Sequence, residues 1–250
     1  MDNITKYYQK INEKMVQIID EERNNIEIAS EIISESLKDN ENLLHIFGTG
    51  GHSTMSATEV FYRAGGLAQI NPIFFSGVCL ENGGRKAVIE RVPGIAPMIM
   101  DAFSFKKGEV LIIVSQVGIN SLTIDAAQYG KDKGLYVIGI ESKELCAKVP
   151  DDCISRHPSG KNLHDIVDLT LDAKIPYGDS VIEIEEAMQK FGPVSNILLF
   201  FLLNSLIIRT IEKLISKGAN PPIWKSGNIP GGDEANQIFL EKYSKLVKAL

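Results

Sequence analysis

The chain is short of cysteine, of positive charge and of long apolar runs, and each shortage removes a class of function. Its three cysteines, Cys79, Cys146 and Cys153, are an odd number with no close pair. That is no disulfide framework, and it fits a reducing compartment. Lys and Arg number 26 against 32 Asp and Glu, a formal net charge of -6 with a pI near 5.3. Nucleic acid and anionic membrane surfaces both call for a basic field, so neither is expected as a partner. The most apolar stretch, Val194 to Ile208, is interrupted by Ser195, Asn196, Asn204 and Ser205 and stops at Arg209. It is too short and too polar to span a bilayer and reads as a buried helix. The opening Met-Asp-Asn-Ile-Thr lacks the basic patch and apolar core of a signal peptide, so a cytoplasmic location is expected. No G-x-x-x-x-G-K-[ST] loop occurs anywhere.

What is present is enough apolar residue, 44% against 23% charged in 250 residues, to bury a substantial core. The expected layout is an N-terminal helical extension over 1–42 and one domain over 43–250. Ile4, Tyr7, Tyr8, Ile11, Met15, Ile18 and Ile19 recur at helical steps, the pattern loosens around Asn24 and Asn25, and Ile28, Ile32, Ile33 and Leu37 restart it. Two helices, or one kinked helix, therefore precede the first strand. The long apolar stripe needs a partner, either the sheet or a second subunit.

The central stretch is Leu43 to Ser53. An apolar run interrupted only by His45 gives way to Gly48, Gly50 and Gly51 with His52 and Ser53, and helical spacing follows through Met55, Val60 and Phe61. Strand, glycine-rich turn and helix in that order aim free backbone N–H groups at an anion. Further strands are expected at Ala68–Phe75, where Pro72 argues for an edge, at Glu109–Val114, at Leu135–Ile140 and at Val167–Leu171. The continuous β-branched run in Glu109–Val114 is that of a strand buried on both faces. Helices alternating with these five strands make an α/β fold, a three-layer αβα sandwich around a doubly wound, mostly parallel five-stranded sheet. Ligands of such sheets sit outside the carboxyl ends of the strands, where the polar loops of this chain fall.

A dinucleotide is disfavoured there. Gly48, Gly50 and Ser53 depart from G-x-G-x-x-G, and the next strand ends Phe74-Phe75-Ser76 with no acid before Glu81 to hold a ribose. The loops instead set hydroxyls and amides beside glycines, Ser53 in the first and Ser115, Asn120 and Ser121 in the second. No compact zinc pattern is formed by Cys146, Cys153 and His157, so no metal or other cofactor is expected.

Phe47-Gly-Thr-Gly-Gly-His-Ser53, Phe61-Tyr-Arg-Ala-Gly-Gly66, Val110-Leu-Ile-Ile-Val-Ser115 with Gly118, Arg156-His-Pro-Ser-Gly-Lys161, Val181-Ile-Glu-Ile-Glu185, Gly192-Pro-Val-Ser195 and Gly231-Gly-Asp-Glu234 resemble the SIS (sugar isomerase) domain family. The chain is similar to the subgroup with a helical N-terminal extension, that of phosphoheptose isomerase-like proteins. The resemblance implies a phosphosugar-binding protein, an aldose–ketose isomerase first, with a phosphosugar sensor or regulator and an amino-sugar phosphate lyase or etherase as alternatives. It also implies a homodimer or homotetramer, and a C-terminal tail that closes over a site. Two departures stand out. Gly51 is an extra residue in the first loop, leaving open whether His52 or Ser53 meets the phosphate, and Val117 and Asn120 replace hydroxyl residues in the second.

The phosphosugar ligands expected on this basis are Gly50, Gly51, His52, Ser53, Ser115, Gly118, Asn120, Ser121 and Lys161. Isomerisation through an enediol needs a base and usually an acid. Glu59, His157 and Glu183 are the candidates, with Glu185 beside the last. Against them, Glu59 is at i,i+4 to Arg63, the spacing of a surface ion pair, and Glu183 reads equally as a solvated face. His45, mid-strand, reads as a satisfied core histidine, and His164 as structural.

Overall fold

The computed structural model describes residues 1–250. In chain order the regular elements are α1 (Asn3–Leu37), β1 (Leu44–Gly48), α2 (Thr54–Val60), β2 (Ile70–Pro72), α3 (Arg85–Glu90), α4 (Ile95–Met100), β3 (Val110–Val114), α5 (Ser121–Asp132), β4 (Tyr136–Glu141), α6 (Lys143–Lys148), β5 (Leu169–Asp172), β6 (Ser180–Ile182), β7 (Phe191–Pro193), α7 (Ser195–Ser216) and α8 (Gly232–Tyr243).

Five strands form one parallel sheet in the order β2-β1-β3-β4-β5. The middle strands are buried on both faces, as their unbroken apolar runs require. Along β3, Val110, Ile112 and Val114 face one core with Leu44 and Ile46 of β1, while Leu111 and Ile113 face the other with Phe47. The first core is closed by α1, α2 and α7, the second by α4 and α5. This is the three-layer sandwich expected, and Pro72 lies on the edge strand, where its missing N–H costs no ladder bond.

The N-terminal stripe differs from the expected pair of helices, because α1 is a single helix of 35 residues. Asp2 caps it by accepting from the Ile4 and Thr5 N–H groups, both at 3.0 Å. The apolar pattern loosens midway, where α1 turns Glu21 and Glu22 toward Lys174. Tyr7 donates to the Pro193 carbonyl on the β6–β7 hairpin, whereas Ile33 and Leu37 join the core over the main sheet. Between them Lys174, just past β5, bonds Glu21 (2.9 Å), Glu22 and Asp172 (both 3.0 Å) and ties the helix to the sheet.

The apolar run from Val194 is α7, whose Leu198, Leu199, Leu202, Leu203 and Leu206 are fully buried. Asp179 starts it, accepting from the Ser195 N–H (2.7 Å), the Ser195 hydroxyl (2.8 Å) and the Val194 N–H (3.1 Å). His45 is a core residue, hydrogen-bonded to Glu109 (2.9 Å) and Asn71 (3.0 Å). No helix is long and apolar enough to cross a membrane.

Candidate functional site at the β1–β3 switch point

From β1 the chain runs outward to β2, then returns past β1 to begin β3 on its other side. By the rule for open α/β sheets, this reversal assigns the ligand crevice to the carboxyl ends of β1 and β3. The two glycine loops flank it. In the first, Gly48 is required by packing, since a Cβ there would lie 2.0 Å from the Ser53 carbonyl oxygen. The chain folds back tightly enough for the Thr54 N–H to reach the Gly50 carbonyl at 2.8 Å. Ser53 is the buried side chain of this turn and His52 the exposed one.

The loops are tied together beneath the crevice. The Thr49 N–H donates to the Val114 carbonyl (3.0 Å), and the Thr49 hydroxyl meets that of Thr123 at 2.6 Å. Ser115 turns its hydroxyl inward to accept the Gly118 N–H at 3.0 Å, so it shapes the second loop. Asn120, which precedes α5, makes no side-chain cap, leaving first-turn N–H groups to other acceptors. Ser121 Oγ and Asn120 Oδ1 are buried without a hydrogen-bond partner. Unsatisfied buried polar atoms beside an uncapped helix start are what a ligand's oxygens and hydroxyls would complete.

A carboxylate that no sequence pattern marks sits in this crevice. Glu90, 7% exposed at the end of α3, accepts the Gly51 N–H (3.0 Å) through Oε1 and the Asn120 amide (3.2 Å) through Oε2, and so bridges both loops. Lys86, one turn earlier, reaches Oε1 at 3.3 Å while its stem lies over Gly51. In the sequence Lys86 and Glu90 read as an i,i+4 surface pair, which conceals the role.

Of the expected ligands, therefore, Gly50, Gly51 and Asn120 lie against Glu90, Ser115 and Gly118 bond to each other within the second loop, where Gly118 faces Glu141, and Ser121 starts α5. His157 braces the second loop from outside: its N–H donates to the Ile119 carbonyl (2.8 Å), and its ring nitrogens meet Asp125 (3.2 Å) and Ser159 (2.7 Å). Lys161 is exposed on the same segment. Glu59 is not in the crevice. It faces α7, pairing with Arg63 at 2.6 Å and accepting from the Asn204 amide at 3.1 Å, beside an open cavity of about 600 Å³ that reaches Tyr62 and Phe200. Glu183 is exposed and pairs with Lys190 at 3.0 Å on the hairpin that packs against Tyr7 of α1, and Glu185 is exposed beside it. The C-terminal tail folds onto its own chain, where Asn236 and Lys225 exchange two hydrogen bonds of 2.7 and 2.9 Å around the buried Trp224.

Behind the second loop lies Glu141, at the carboxyl end of β4. Burial raises its carboxyl to about 7, against the lowering hydrogen bond from His164. Gly118 has a φ of +69°, and a Cβ on it would lie 1.7 Å from Glu141 Oε2, so the loop's shape depends on having no side chain there.

A sequence model of the SIS domain matches residues 6–142 of this chain. The chain belongs to the SIS domain family. Relatives of this SIS protein include a UPF0309 protein of Thermoanaerobacter pseudethanolicus, 40% identical over 254 residues that cover 100% of this chain and 98% of the relative. A UPF0309 protein of Halalkalibacterium halodurans is 37% identical over 248 residues, covering 99% and 97%. Among solved structures, phosphoheptose isomerase from Neisseria gonorrhoeae superposes with a TM-score of 0.55 at 12% identity, covering 84% of this chain and 97% of its own. The sugar isomerase domain of an RpiR transcription factor from Sphaerobacter thermophilus superposes with a TM-score of 0.51 at 14% identity, covering 98% and 100%. At these identities the structures share the SIS fold with this protein.

Proposed function

We propose that this SIS protein binds a phosphorylated sugar in the β1–β3 crevice and interconverts its aldose and ketose forms, with Glu90 as the base. The observation that carries the reading is the placement of one buried carboxylate between a backbone N–H of the first loop and the side-chain amide of the second. Phosphate would be taken by the uncapped start of α5, with Ser121 and the loop N–H groups. Glu90 then removes the proton from the carbon beside the aldehyde. The freed electron pair forms the enediol double bond, and the carbonyl oxygen becomes an oxyanion beside the Lys86 ammonium and the Asn120 amide. Glu90, its proton exchanging with solvent while the enediol persists, then protonates the former carbonyl carbon, and the hydroxyl proton of the second carbon passes to the first oxygen, which gives the ketose. His157 holds the second loop in place, and Glu59, turned toward α7, is a binding or subunit-contact residue.

Incubation with hexose, heptose and amino-sugar phosphates in deuterated water tests this reading. Deuterium is expected at the carbon next to the carbonyl of one of them, and exchange with none of them would overturn the isomerase assignment. A sensor is the second reading, supported by the 98% coverage of this chain by a regulator's sugar isomerase domain, including α1. For a sensor the same sugars would raise the melting temperature without exchange. We also infer a homo-oligomer, because Ile4, Tyr8, Val16 and Ile19 leave apolar side chains 40 to 83% exposed along α1. Light scattering that shows only monomer would refute it.

A further inference from the structure

The carboxyl end of β4 gathers a second set of donor atoms, for which sugar binding has no use. Glu141 ends β4 and is fully buried, Cys146 lies on α6 with 2% exposure, and the His164 side chain, in the 163–165 turn, is 36% exposed. One ligand atom from each lies within 4.8 Å of the other two. Glu141 Oε1 meets His164 Nδ1 at 2.5 Å, while Oε2 is buried with no partner at all. The Cys146 thiol reaches only Asn162 Oδ1, at 3.2 Å, and that oxygen is already taken by Arg156 at 2.8 Å.

A carboxylate oxygen sealed from water without a donor is a costly arrangement, and a cation removes the cost directly. The donor set decides which cation. Thiolate sulfur excludes magnesium and calcium, which take oxygen ligands, whereas sulfur, imidazole nitrogen and carboxylate oxygen together suit zinc.

We infer that Glu141, Cys146 and His164 form a zinc site, with its fourth position open on the His164 side. On binding, Cys146 coordinates as the thiolate, and its proton and the one shared between His164 and Glu141 both pass to solvent, leaving the metal-facing nitrogen free to coordinate. The metal would clamp α6 and the 163–165 turn to the end of β4. Because Glu141 Oε2 lies against Gly118, it would also stiffen the second loop of the crevice. The site stands whether or not the crevice is an isomerase.

The test uses the full chain stripped by a chelator and titrated with Co²⁺ as a spectroscopic probe. The expected result is stoichiometric binding with an intense thiolate-to-cobalt band in the near ultraviolet, displaced by Zn²⁺. Cys146→Ser should abolish that band and Cys153→Ser should leave it. His164→Ala, at a partly exposed position, should weaken binding at least ~10-fold. Zn²⁺ should raise the melting temperature of the parent chain but not of His164→Ala. Absence of the thiolate band, or its persistence in Cys146→Ser, would overturn the site.

Discussion

His45 and Glu109 form a hydrogen-bonded pair 2.9 Å apart in the core, with side chains 0 and 1% exposed. The Asn71 amide donates to the other ring nitrogen, which leaves the histidine proton on the side facing Glu109. The carboxylate accepts two further bonds, from the Leu43 N–H (2.9 Å) and the Lys106 N–H (2.6 Å). Both side chains of the pair sit where β1 and β3 start, at the opposite edge from the crevice, so the pair belongs to stability and not to chemistry.

Acid sensitivity follows from that pair. Burial alone would raise the Glu109 carboxyl, but the hydrogen bonds from His45 and Lys106 prevail and hold it below its ordinary value of 4.5. The unfolded chain therefore takes up the proton first as pH falls. The stabilisation is complete above about pH 4.5 and is lost as pH drops through the native value. Glu109→Gln should cost roughly 2–4 kcal/mol near neutrality, and it should flatten the acid limb of a urea-denaturation series from neutral to acidic pH. An unchanged acid limb would remove Glu109 as its source.

Lys174 should be the most sensitive ion-pair position. Its side chain is 10% exposed and neutralises carboxylates from both α1 and the end of β5. Lys174→Met leaves Glu22 and Asp172 buried without a cation, a loss of roughly 3 kcal/mol in urea denaturation. Adding Glu22→Gln should restore part of it. Equal stability of the single and double variants would show that the cluster is not coupled.

Gly118→Ala combines a positive φ with a collision against Glu141. The substitution should cost more than ~2 kcal/mol and weaken phosphosugar binding with it. In a Glu141→Ala background the collision with the carboxylate vanishes, leaving the backbone strain of about 1 kcal/mol and a close approach of 3.2 Å to Leu163 Cβ. A double-mutant cycle of thermal melts reads the difference, and additive effects would contradict the contact.

Glu90 and Glu59 should separate in kinetics. Glu90→Gln keeps the shape of the bridge between the loops but removes the base, so exchange of substrate hydrogen with deuterated solvent should fall at least ~100-fold. The melting shift induced by the sugar phosphate should persist. Glu59→Gln should leave the exchange rate within a few-fold, and the opposite ranking of the two variants would return the base role to Glu59.

Much of this was legible in the residues. The five strands, the edge position marked by Pro72, the buried helix beginning near Val194 and both glycine loops follow from local periodicity and turn chemistry, because burial on two faces or one leaves its imprint within each segment. The phosphosugar family was legible through the motifs around Gly48–Ser53 and Ser115–Gly118. Continuity of α1 through Asn24 and Asn25 was not, since polar residues there, with Glu21 and Glu22 held by Lys174, interrupt the apolar stripe without ending the helix.

Composition and spacing thus determined the α/β class, the five strands of the main sheet and the edge that carries the loops, but not the β6–β7 hairpin. Only the tertiary structure decided that Ser53 and not His52 is buried, that Glu183 rides on an outlying hairpin, and that Glu90 bridges the two loops. It alone brought Cys146 beside Glu141 and His164. The physical reason is the same in each case. A residue's periodicity records which face it shows, whereas its partners are set by how parallel strands are crossed over and by where loops of unrelated segments meet at the strand ends.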